Sequence, residues 1–387
     1  MTQGTDLGRE NGAATSLTLR HWTREEWLAG EGAWNALLAR SPCDPLFLSW
    51  EWQTGWWRHF GEDLGRQPHI LAFSRGAELV GLVPLYRRRV VRGGFLPARS
   101  VQVIGLSWRD RRPLISEYLD VIAPAAEQAA VREACLRTLL TNDDWTEFVI
   151  GLTACAREWR AALECVAQRE QLYARELDPS VTYQADLSAG FDAYLRELHQ
   201  STRRSVWNLR RRLGAWGAVR LETLTAGDIE GGFADLNRLH HLRWQKPAFA
   251  GRRLQFHVEL ARQLAERGEL AFSRLRVGSQ AVSMLYDVRR RGRQYNIKMA
   301  FDPGLSSRIS LGLLHLGYAM EGAAQQRVDT YDFLAGPGRT SDFKRLLSQA
   351  RNRLTCVQVV RGPMLPSLYR WRDRARQRSA GSSRSDA

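Results

Sequence analysis

The second half of the chain alternates between two spacings of apolar positions. Runs in which every other residue is apolar, such as "AVRLETL" at 218–224, predict strands. Apolar positions three or four residues apart, as in "GDIEGGFADLNRLHHLRW" at 227–244, predict helices. In chain order, this half is predicted to contain a strand, two helices, three strands, a helix, a strand, a helix and a strand.

The first half shows the same order of elements in different letters. A strand near 17–21 comes before two helical patterns, three strand-like patterns, a helix, a strand and a helix. The four tryptophans of "SWEWQTGWWRHF" at 49–60 have helical spacing, which favours core packing over the stacking of a base or sugar. The shared order predicts a duplicated fold of the mixed α/β (α+β) class, with a mixed sheet.

The pattern divides the chain into five predicted segments. With 387 residues, 44% of them hydrophobic, the chain is long enough for two domains that each have a core. The segments are a disordered leader at 1–17, an N-terminal domain at 18–180, a linking helix at 181–216, a C-terminal domain at 217–365 and a basic tail at 366–387.

Several classes of protein are excluded by what the sequence lacks. No apolar run approaches the roughly 18 residues of a membrane span. The first residues, "MTQGTDLGRENGAATSLT", do not have the basic and then apolar layout of a signal peptide. The five cysteines show neither C-x-x-C spacing nor a disulfide framework. We therefore expect a protein of the reducing cytoplasm with no bound metal.

The net charge of +15 comes almost entirely from arginine. It indicates either a compositional preference for arginine or an anionic partner, which would be a nucleic acid, an anionic membrane face or an anionic substrate. Only three of the 56 basic residues are lysines, at Lys246, Lys298 and Lys344. Because a compact ammonium and a planar guanidinium bind anions differently, these three positions are candidates for a specific role.

Several motifs resemble a known superfamily. The stretches "LVGLVPLYRRR" (79–89), "EYLDVIAP" (117–124), "FDP" with "SSRISLG" (301–312) and "YDFLAGPGRTSDFK" (331–344) are similar to the GNAT acyl-CoA N-acyltransferases, present twice in tandem. Within that superfamily they resemble the bacterial CelD/BcsL-type acetyltransferases, over about residues 19–362. The FemAB-type transferases, which use aminoacyl-tRNA, share the tandem architecture.

The resemblance implies an acyl-CoA-dependent N-acyltransferase. It would transfer an acyl group, expected to be acetyl from acetyl-CoA, to a small-molecule or glycan-linked amine in cellulose, exopolysaccharide or envelope metabolism. Two alternatives stay open: a FemAB-type aminoacyl-tRNA-dependent transferase, and a non-catalytic scaffold of a polysaccharide machine. We expect the protein to bind no nucleic acid, except tRNA if it is a FemAB-type transferase. We expect no membrane span, and peripheral membrane contact stays open.

A phosphate site is predicted where the strand ending in "AF" leads into the helix that starts near residue 311. The free N–H groups and the positive dipole end of a helix N-terminus bind anions. Ser306, Ser307 and Ser310 add hydroxyl donors, Arg308 adds charge, and Gly312 allows a close approach. In GNAT enzymes the corresponding loop binds the pyrophosphate of coenzyme A. The alternative is an ordinary helix that is capped by Ser310.

The helix at 227–244 and the segment after it supply the candidates for binding the acceptor. His240 lies on the apolar face of this helix, and it is either a base or a satisfied core histidine. Arg243, Trp244 and Lys246 follow it, and His257 lies on the inward face of the next helix. These four are predicted to bind substrate, although a core position is an equal alternative for His257.

The remaining candidates lie at the ends of two strands. Alternation along "RQYNIKMAF" places Tyr295, a substrate-binding candidate, on one face and Lys298, a phosphate-binding candidate, on the other. Asp332 ends the next strand, and in GNAT folds the thioester lies in the gap between these two strands. Asp332 is therefore a candidate base, and Lys344 a candidate cation beside the gap. The first half has no serine-rich loop before its corresponding helix, so we expect it to be catalytically silent and to shape the acceptor cleft.

Overall fold

A computed structural model describes residues 16–62, 66–109, 114, 116–142, 144–167, 172–305, 308–336 and 340–382. Residues 1–15 of the predicted leader and the end of the predicted tail lie outside this part. The strands are β1 Leu17–Trp22, β2 Gln67–Arg75, β3 Glu78–Arg92, β4 Leu96–Val103, β5 Glu147–Thr153, β6 Tyr173–Asp186, β7 Val219–Thr223, β8 Leu270–Val277, β9 Gln280–Arg290, β10 Arg293–Phe301, β11 Thr330–Asp332 and β12 Ala350–Val360.

The helices are α1 Arg24–Ala29, α2 Glu31–Ala39, α3 Trp50–Phe60, α4 Gln128–Asn142, α5 Ala156–Val166, α6 Phe191–Glu197, α7 Gln200–Arg203, α8 Arg210–Leu213, α9 Ile229–Trp244, α10 Arg252–Glu266, α11 Leu311–Gln325, α12 Thr340–Leu347 and α13 Met364–Ser382. They follow the predicted order in the second half, whereas the first of the two helices predicted after β1 is divided into α1 and α2. The mixed α/β class is confirmed, since the helices cover a sheet with both parallel and antiparallel pairs.

The two halves share one sheet because they exchange strands. In the described part of the chain, the order of the twelve strands is β1-β2-β3-β4-β5-β12-β6-β11-β10-β9-β8-β7. The last strand of the second half, β12, pairs with β5 of the first half, and β6 of the first half pairs with β11 of the second. β6 and β12 are also antiparallel neighbours, which joins the halves. The separate lobes expected from the repeated pattern are therefore one continuous sheet.

The segment predicted as a linking helix is only partly helical. β6 runs through its first residues and ends at Asp186. The rest is broken into α6, α7, a π-helical turn at Arg204–Asn208, α8 and a 3₁₀ turn at Gly214–Trp216. The π turn packs against α11 so closely that a Cβ on Gly317 would lie 2.1 Å from the Val206 carbonyl oxygen. Tertiary packing therefore distorts a segment whose apolar spacing alone predicts a continuous helix.

The tryptophans of α3 belong to the core, as their helical spacing predicts. Trp52, Trp56 and Trp57 are buried, and α3 packs against α10 of the second half. The ring of Trp52 meets that of Phe256 edge-to-face at 5.1 Å between centroids. This contact fixes the first half against the helices that flank the candidate site.

Strand β10 contains a bulge that changes which residues share a face. Its register against β9 shifts between Asn296, which pairs with Asp287, and Lys298, which pairs with Tyr286. The extra residue reverses the alternation, so Lys298 lies on the same face as Tyr295. The prediction that they lie on opposite faces is wrong, because strict alternation assumes a regular strand.

Candidate functional site

The two parallel strands at the centre of the second half separate almost at once. β10 and β11 pair only over Arg293–Tyr295 and Thr330–Asp332. β11 ends there, and Phe333 donates its N–H to the carbonyl of Tyr183 in β6, at 2.9 Å. β10 continues to Phe301 without a described strand on that side, so part of its edge keeps backbone groups outside the ladder. The result is a gap between the two strands, bounded at its base by Asp332.

Asp332 is fully buried and accepts three hydrogen bonds. The Tyr118 hydroxyl donates to Oδ2 at 2.7 Å, and Gln184 Nε2 donates to the same oxygen at 2.8 Å. The Leu334 N–H donates to Oδ1 at 2.8 Å. Burial raises the pKa of Asp332, and the hydrogen bonds from Gln184 and Tyr118 oppose that rise. The carboxylate is thus held in a fixed orientation and favours a proton more than an exposed aspartate does.

A second buried carboxylate lies beside the first. The Tyr295 hydroxyl donates to Asp44 Oδ2 at 2.8 Å, which joins the first half to β10. Arg293 lies between the two acids, with Nη1 3.5 Å from Asp44 Oδ2 and 3.8 Å from Asp332 Oδ2. Burial raises the pKa of Asp44 to about 6, and the Arg293 charge opposes this rise. The single guanidinium of Arg293 therefore lies near two carboxylates, those of Asp44 and Asp332. This cluster of buried side chains has more acidic groups than cations.

The side chains of Lys344 and Glu117 form hydrogen bonds with the backbone that follows β11, each from a different side. Lys344 Nζ donates to the carbonyl oxygens of Leu334 and Ala335, each at 3.0 Å. The Glu117 carboxylate accepts the Ala335 N–H at 3.0 Å. Burial lowers the pKa of Lys344 and raises that of Glu117, and each group's charge opposes the shift of the other. Leu334 between them has a left-handed backbone, with φ of 57°. The pair fixes a strained turn at the edge of the gap.

The three lysines converge on this region. Lys298 is half-buried, and burial together with the charges of Arg253 and Lys246 lowers its pKa. The charge of Lys298 in turn acts on Lys344. Lys246 is exposed, Lys298 is half-buried and Lys344 is buried, so the three lysines differ in their access to solvent. The functional roles predicted for these lysines stay predictions.

His240 is buried and contacts the backbone of Lys246. Its Nδ1 is 2.7 Å from the carbonyl oxygen of Lys246. A carbonyl only accepts, so Nδ1 carries the proton and Nε2 is left as an acceptor. Burial lowers the pKa of His240, with the nearby charge of Lys298 as a smaller cause. The ring is therefore neutral near pH 7 and able to take a proton at Nε2.

Two candidates for acceptor binding form an exposed rim. Arg243 stacks over the rings of Trp244 and Phe301, each at 4.9 Å from the ring centroid. This stack ties the end of α9 to the end of β10, beside the start of the predicted phosphate loop. The predicted contact of Arg243 and Trp244 with substrate stays a prediction.

His257 lies in the aromatic core. Its ring centroid is 4.1 Å from that of Phe249 and 5.5 Å from that of Tyr286. Burial lowers the pKa of His257 to about 3. The structure thus gives this histidine a packing role, and its predicted contact with substrate stays a prediction.

This burial predicts a pH dependence of stability. Unfolded His257 takes up a proton below about pH 6.5 whereas the folded form does not until about pH 3, so stability falls as the pH falls between these values. Between pH 7 and pH 5 the wild type should lose about 2 kcal/mol more than His257→Phe, at about 1.4 kcal/mol per pH unit. Urea unfolding at both pH values measures this. His241→Phe, on an exposed ring, is the control, and equal losses in wild type and His257→Phe would contradict the assignment.

The predicted phosphate loop is described in part. Ser306 and Ser307 lie outside the described residues, whereas Arg308 and Ser310 are exposed. Ser310 is the N-cap residue of α11 but makes no side-chain capping bond, so its hydroxyl is available to a ligand. Gly312 is buried, and a Cβ there would lie 2.8 Å from the Phe301 ring. The close packing of α11 on β10 thus accounts for the glycine without a ligand.

The sequence did not indicate five side chains of the cluster, namely Asp44, Glu117, Tyr118, Gln184 and Arg293. They come from loops and strands far apart in the chain, and no spacing rule connects them. The only available signal was the acidic motif "EYLD" at 117–120, which carried the resemblance but no assigned role. Among the residues that the structure describes, no group of three or more histidine, cysteine or acidic side chains could hold a metal ion. In the same part of the chain, no helix has the length and apolar character needed to cross a bilayer.

Comparisons with known proteins agree with this geometry. The acetyltransferase (GNAT) domain family matches residues 200–345, which include β10, α11, β11 and Lys344. No curated protein sequence matches the chain. The crystal structure of FemX superposes with a TM-score of 0.58 at 11% identity, covering 87% of this chain and 96% of FemX. The second half is thus similar in sequence to acetyltransferase (GNAT) domains, and the fold of the chain is similar to that of FemX.

Two further solved structures are similar at lower scores. L-PGS from Bacillus licheniformis has a TM-score of 0.46 at 11% identity, covering 85% of this chain and 95% of its own. A tandem GNAT protein from the clavulanic acid biosynthesis pathway has a TM-score of 0.42 at 13% identity, covering 90% and 99%. At these identities, a likeness concerns the fold alone.

Proposed function

We propose that the protein transfers an acyl group, most simply acetyl, from coenzyme A to an amine in the second-half gap. The observation that carries this proposal is the gap itself, where β10 and β11 separate at a buried charged cluster. The free edge of β10 suits an extended amide-containing arm, because such an arm can pair with it as a short strand does. The start of α11, with Arg308 and Ser310, suits the phosphates at the other end of the donor.

The reaction needs little beyond positioning and proton transfer. The nitrogen of the acceptor attacks the thioester carbonyl, a C–N bond forms, the C–S bond breaks, and the thiolate takes up a proton. In this proposal, Asp332 or the Nε2 of His240 accepts the amine proton. The ammonium of Lys298, on the face of β10 that carries Tyr295, stabilises the negative charge that develops on the carbonyl oxygen.

The first half differs at the corresponding pair of strands, which supports the expectation that this half is silent. β4 and β5 pair only over Ser100–Gln102 and Glu147–Val149 before they separate. A Cβ on Gly151 of β5 would lie 2.2 Å from the side chain of Leu106, which is buried. A buried apolar side chain thus packs directly against β5 where β4 and β5 have separated, and no such side chain is described against β11. The side chains of Asp44, Glu117 and Tyr118 then become the contribution of the first half to the site.

A second candidate is transfer from aminoacyl-tRNA. It is favoured by the likeness of the fold to FemX over nearly the whole chain, and by exposed arginines at Arg204, Arg211 and Arg212. Such arginines suit a phosphate backbone. Acyl-CoA remains the first proposal because the family match covers the half that contains the gap and the start of α11.

A transfer assay with two donors separates the candidates. Purified protein is incubated with a panel of amines, amino sugars and polyamines, and with either acetyl-CoA or a charged tRNA mixture. Release of free coenzyme A thiol that depends on the amine is the expected result. Amine-dependent release of the amino acid from tRNA, with no thiol release, would replace the first proposal by the second. Activity with neither donor would favour the non-catalytic scaffold.

The phosphate contact gives a prediction that is independent of the acceptor. Arg308→Ala should weaken binding of acetyl-CoA by about ten- to a hundredfold, because a charge-assisted contact to a phosphate contributes about 1.5–3 kcal/mol. Titration calorimetry with acetyl-CoA measures the affinity. Arg327→Ala, an exposed arginine at the opposite end of α11, is the matched control and should leave the affinity unchanged. Equal affinities for wild type and Arg308→Ala would remove Arg308 from the donor site.

A further inference from the structure

One corner of the first half exposes apolar side chains to an unusual degree. Among the large apolar residues that the structure describes, the four most exposed are Phe95, Trp371, Met364 and Val91, at 71%, 68%, 61% and 61%. Phe95 and Val91 belong to the β3–β4 hairpin, and the other two belong to α13. A Cβ built on Gly93 would lie 3.6 Å from both Leu368 and Phe95, so the hairpin tip and the helix meet.

The exposed side chains of α13 form a stripe separate from its buried face. Leu365 and Tyr369 are buried against Ala98 and Val360, which attaches the helix to the sheet. Met364, Leu368, Trp371 and Ala375 follow at intervals of four, three and four, so they share a second, outward face. Phe95 extends this apolar stripe, so the stripe continues from α13 onto the β3–β4 hairpin. Packing of the domain does not account for it, because the helix is already anchored by its other face.

Arginines flank the apolar stripe. Arg370, Arg372 and Arg374 are exposed on the same helix, and Arg89 is exposed on the hairpin. A cavity of about 280 Å³ lies between the two elements and is lined by Arg92, Trp108, Arg109, Arg175, Tyr369 and Arg372 among others.

Most of the arginines that line this cavity already form ion pairs with acidic side chains. Arg92 pairs with Glu147, Arg175 with Asp373 and Arg109 with Asp178. Arg372 has no ion-pair partner among the described residues, so one cation is left for an anion the size of a phosphate.

We propose that the face formed by α13 and the β3–β4 hairpin binds an anionic phospholipid membrane. Exposed aromatic and aliphatic side chains insert into the interface between headgroups and acyl chains, and arginines beside them bind lipid phosphates. A nucleic acid would use the arginines but would leave the apolar stripe in water. A membrane uses both, because it offers negative charge and an apolar layer within a few ångströms of each other. If the proposed transfer takes place in the second half, this surface would bring that half to amine substrates at a membrane.

Vesicle flotation tests this surface in the full chain. The protein is mixed with vesicles of phosphatidylcholine alone or with added phosphatidylglycerol. We expect binding only to the anionic vesicles, with an affinity that falls as salt rises. The triple variant Arg370→Ser, Arg372→Ser, Arg374→Ser should bind about a hundredfold more weakly, since each basic residue near an anionic leaflet contributes about fivefold. The double variant Phe95→Ser, Trp371→Ser should weaken binding at least tenfold at unchanged net charge.

The chain offers a matched control on the opposite half. Arg204, Arg211 and Arg212 are exposed arginines beside Trp216, which is also exposed. Their replacement by serine removes the same charge and a tryptophan, and it should leave vesicle binding unchanged. Equal losses in both sets of variants, or equal binding to neutral vesicles, would overturn the proposal. So would binding of tRNA, or formation of a dimer, that depends on α13 while vesicle binding is absent.

Discussion

Replacing Lys344 with alanine is expected to slow acyl transfer by tens- to thousands-fold. The Lys344 ammonium is buried and donates hydrogen bonds to the carbonyls of Leu334 and Ala335. Its positive charge is attracted by the negative charge of Glu117 across the same turn. Removing one charge of such a buried set typically costs about 2–5 kcal/mol, because the partners are left without compensation. The edge of the gap would lose its shape and the acidic cluster would lose a cation.

The comparison with arginine makes this prediction specific. Lys344→Arg keeps the charge, but a planar fork does not fit two carbonyls that a compact ammonium holds, so it should keep only part of the activity. Lys298→Arg and Lys246→Arg are the internal comparisons, at a half-buried and an exposed position. Steady-state release of coenzyme A thiol measures all four variants, and thermal unfolding shows whether each is folded. Wild-type rates in the three arginine variants would mean that the surviving lysines have no chemical role.

Asp332→Asn should lower the rate of transfer by about a hundred- to ten-thousandfold, the usual contribution of a positioned base. The amide matches the carboxylate in shape but cannot accept a proton from the amine. Because burial raises the pKa of Asp332, the wild-type rate should rise as the pH rises through that pKa, and this limb should be absent in the variant. The dependence of kcat/KM on pH measures the difference.

Asp287→Asn provides the control for this variant. Asp287 is also fully buried and accepts hydrogen bonds from Asn296, Gln294 and Tyr331, at 2.7, 2.8 and 2.5 Å. It lies on the other face of the sheet from Tyr295, because it pairs with Asn296. Its replacement should affect stability more than turnover. An Asp332→Asn rate equal to that of Asp287→Asn, with the same pH profile, would contradict a role of Asp332 as the base.

The order of elements was readable from the sequence, but the pairing of strands was not. Apolar spacing distinguishes a strand from a helix, and it predicted every strand of the second half in order. It does not encode which strands pair, so the exchange of β6 and β12 between the halves was not predicted. The sequence did not predict the bulge in β10 for a similar reason. Its extra residue, Ile297, continues the alternation of apolar and polar letters in the sequence, and only the register against β9 reveals it.

The candidate site was found where residue type was informative and missed where it was not. The rarity of lysine indicated three positions, and the structure brings their charges within reach of one another. Asp44 and Gln184 are ordinary letters in the sequence, and only the meeting of distant strands and loops gives them a place beside Asp332. Gly312 has a second explanation that the sequence did not indicate. Its sequence context suggested a ligand, whereas the ring of Phe301 already explains the absence of a side chain.

Hydrogen–deuterium exchange with and without acetyl-CoA tests the donor site most directly. The proposal predicts slower exchange in the presence of acetyl-CoA at residues 296–301 of β10 and at the start of α11. It predicts no change at residues 103–106 and 150–153, where Leu106 packs against Gly151 of β5. Protection of the first-half gap, or no protection of β10 and α11 at saturating acetyl-CoA, would contradict the claim that the second-half gap binds the donor.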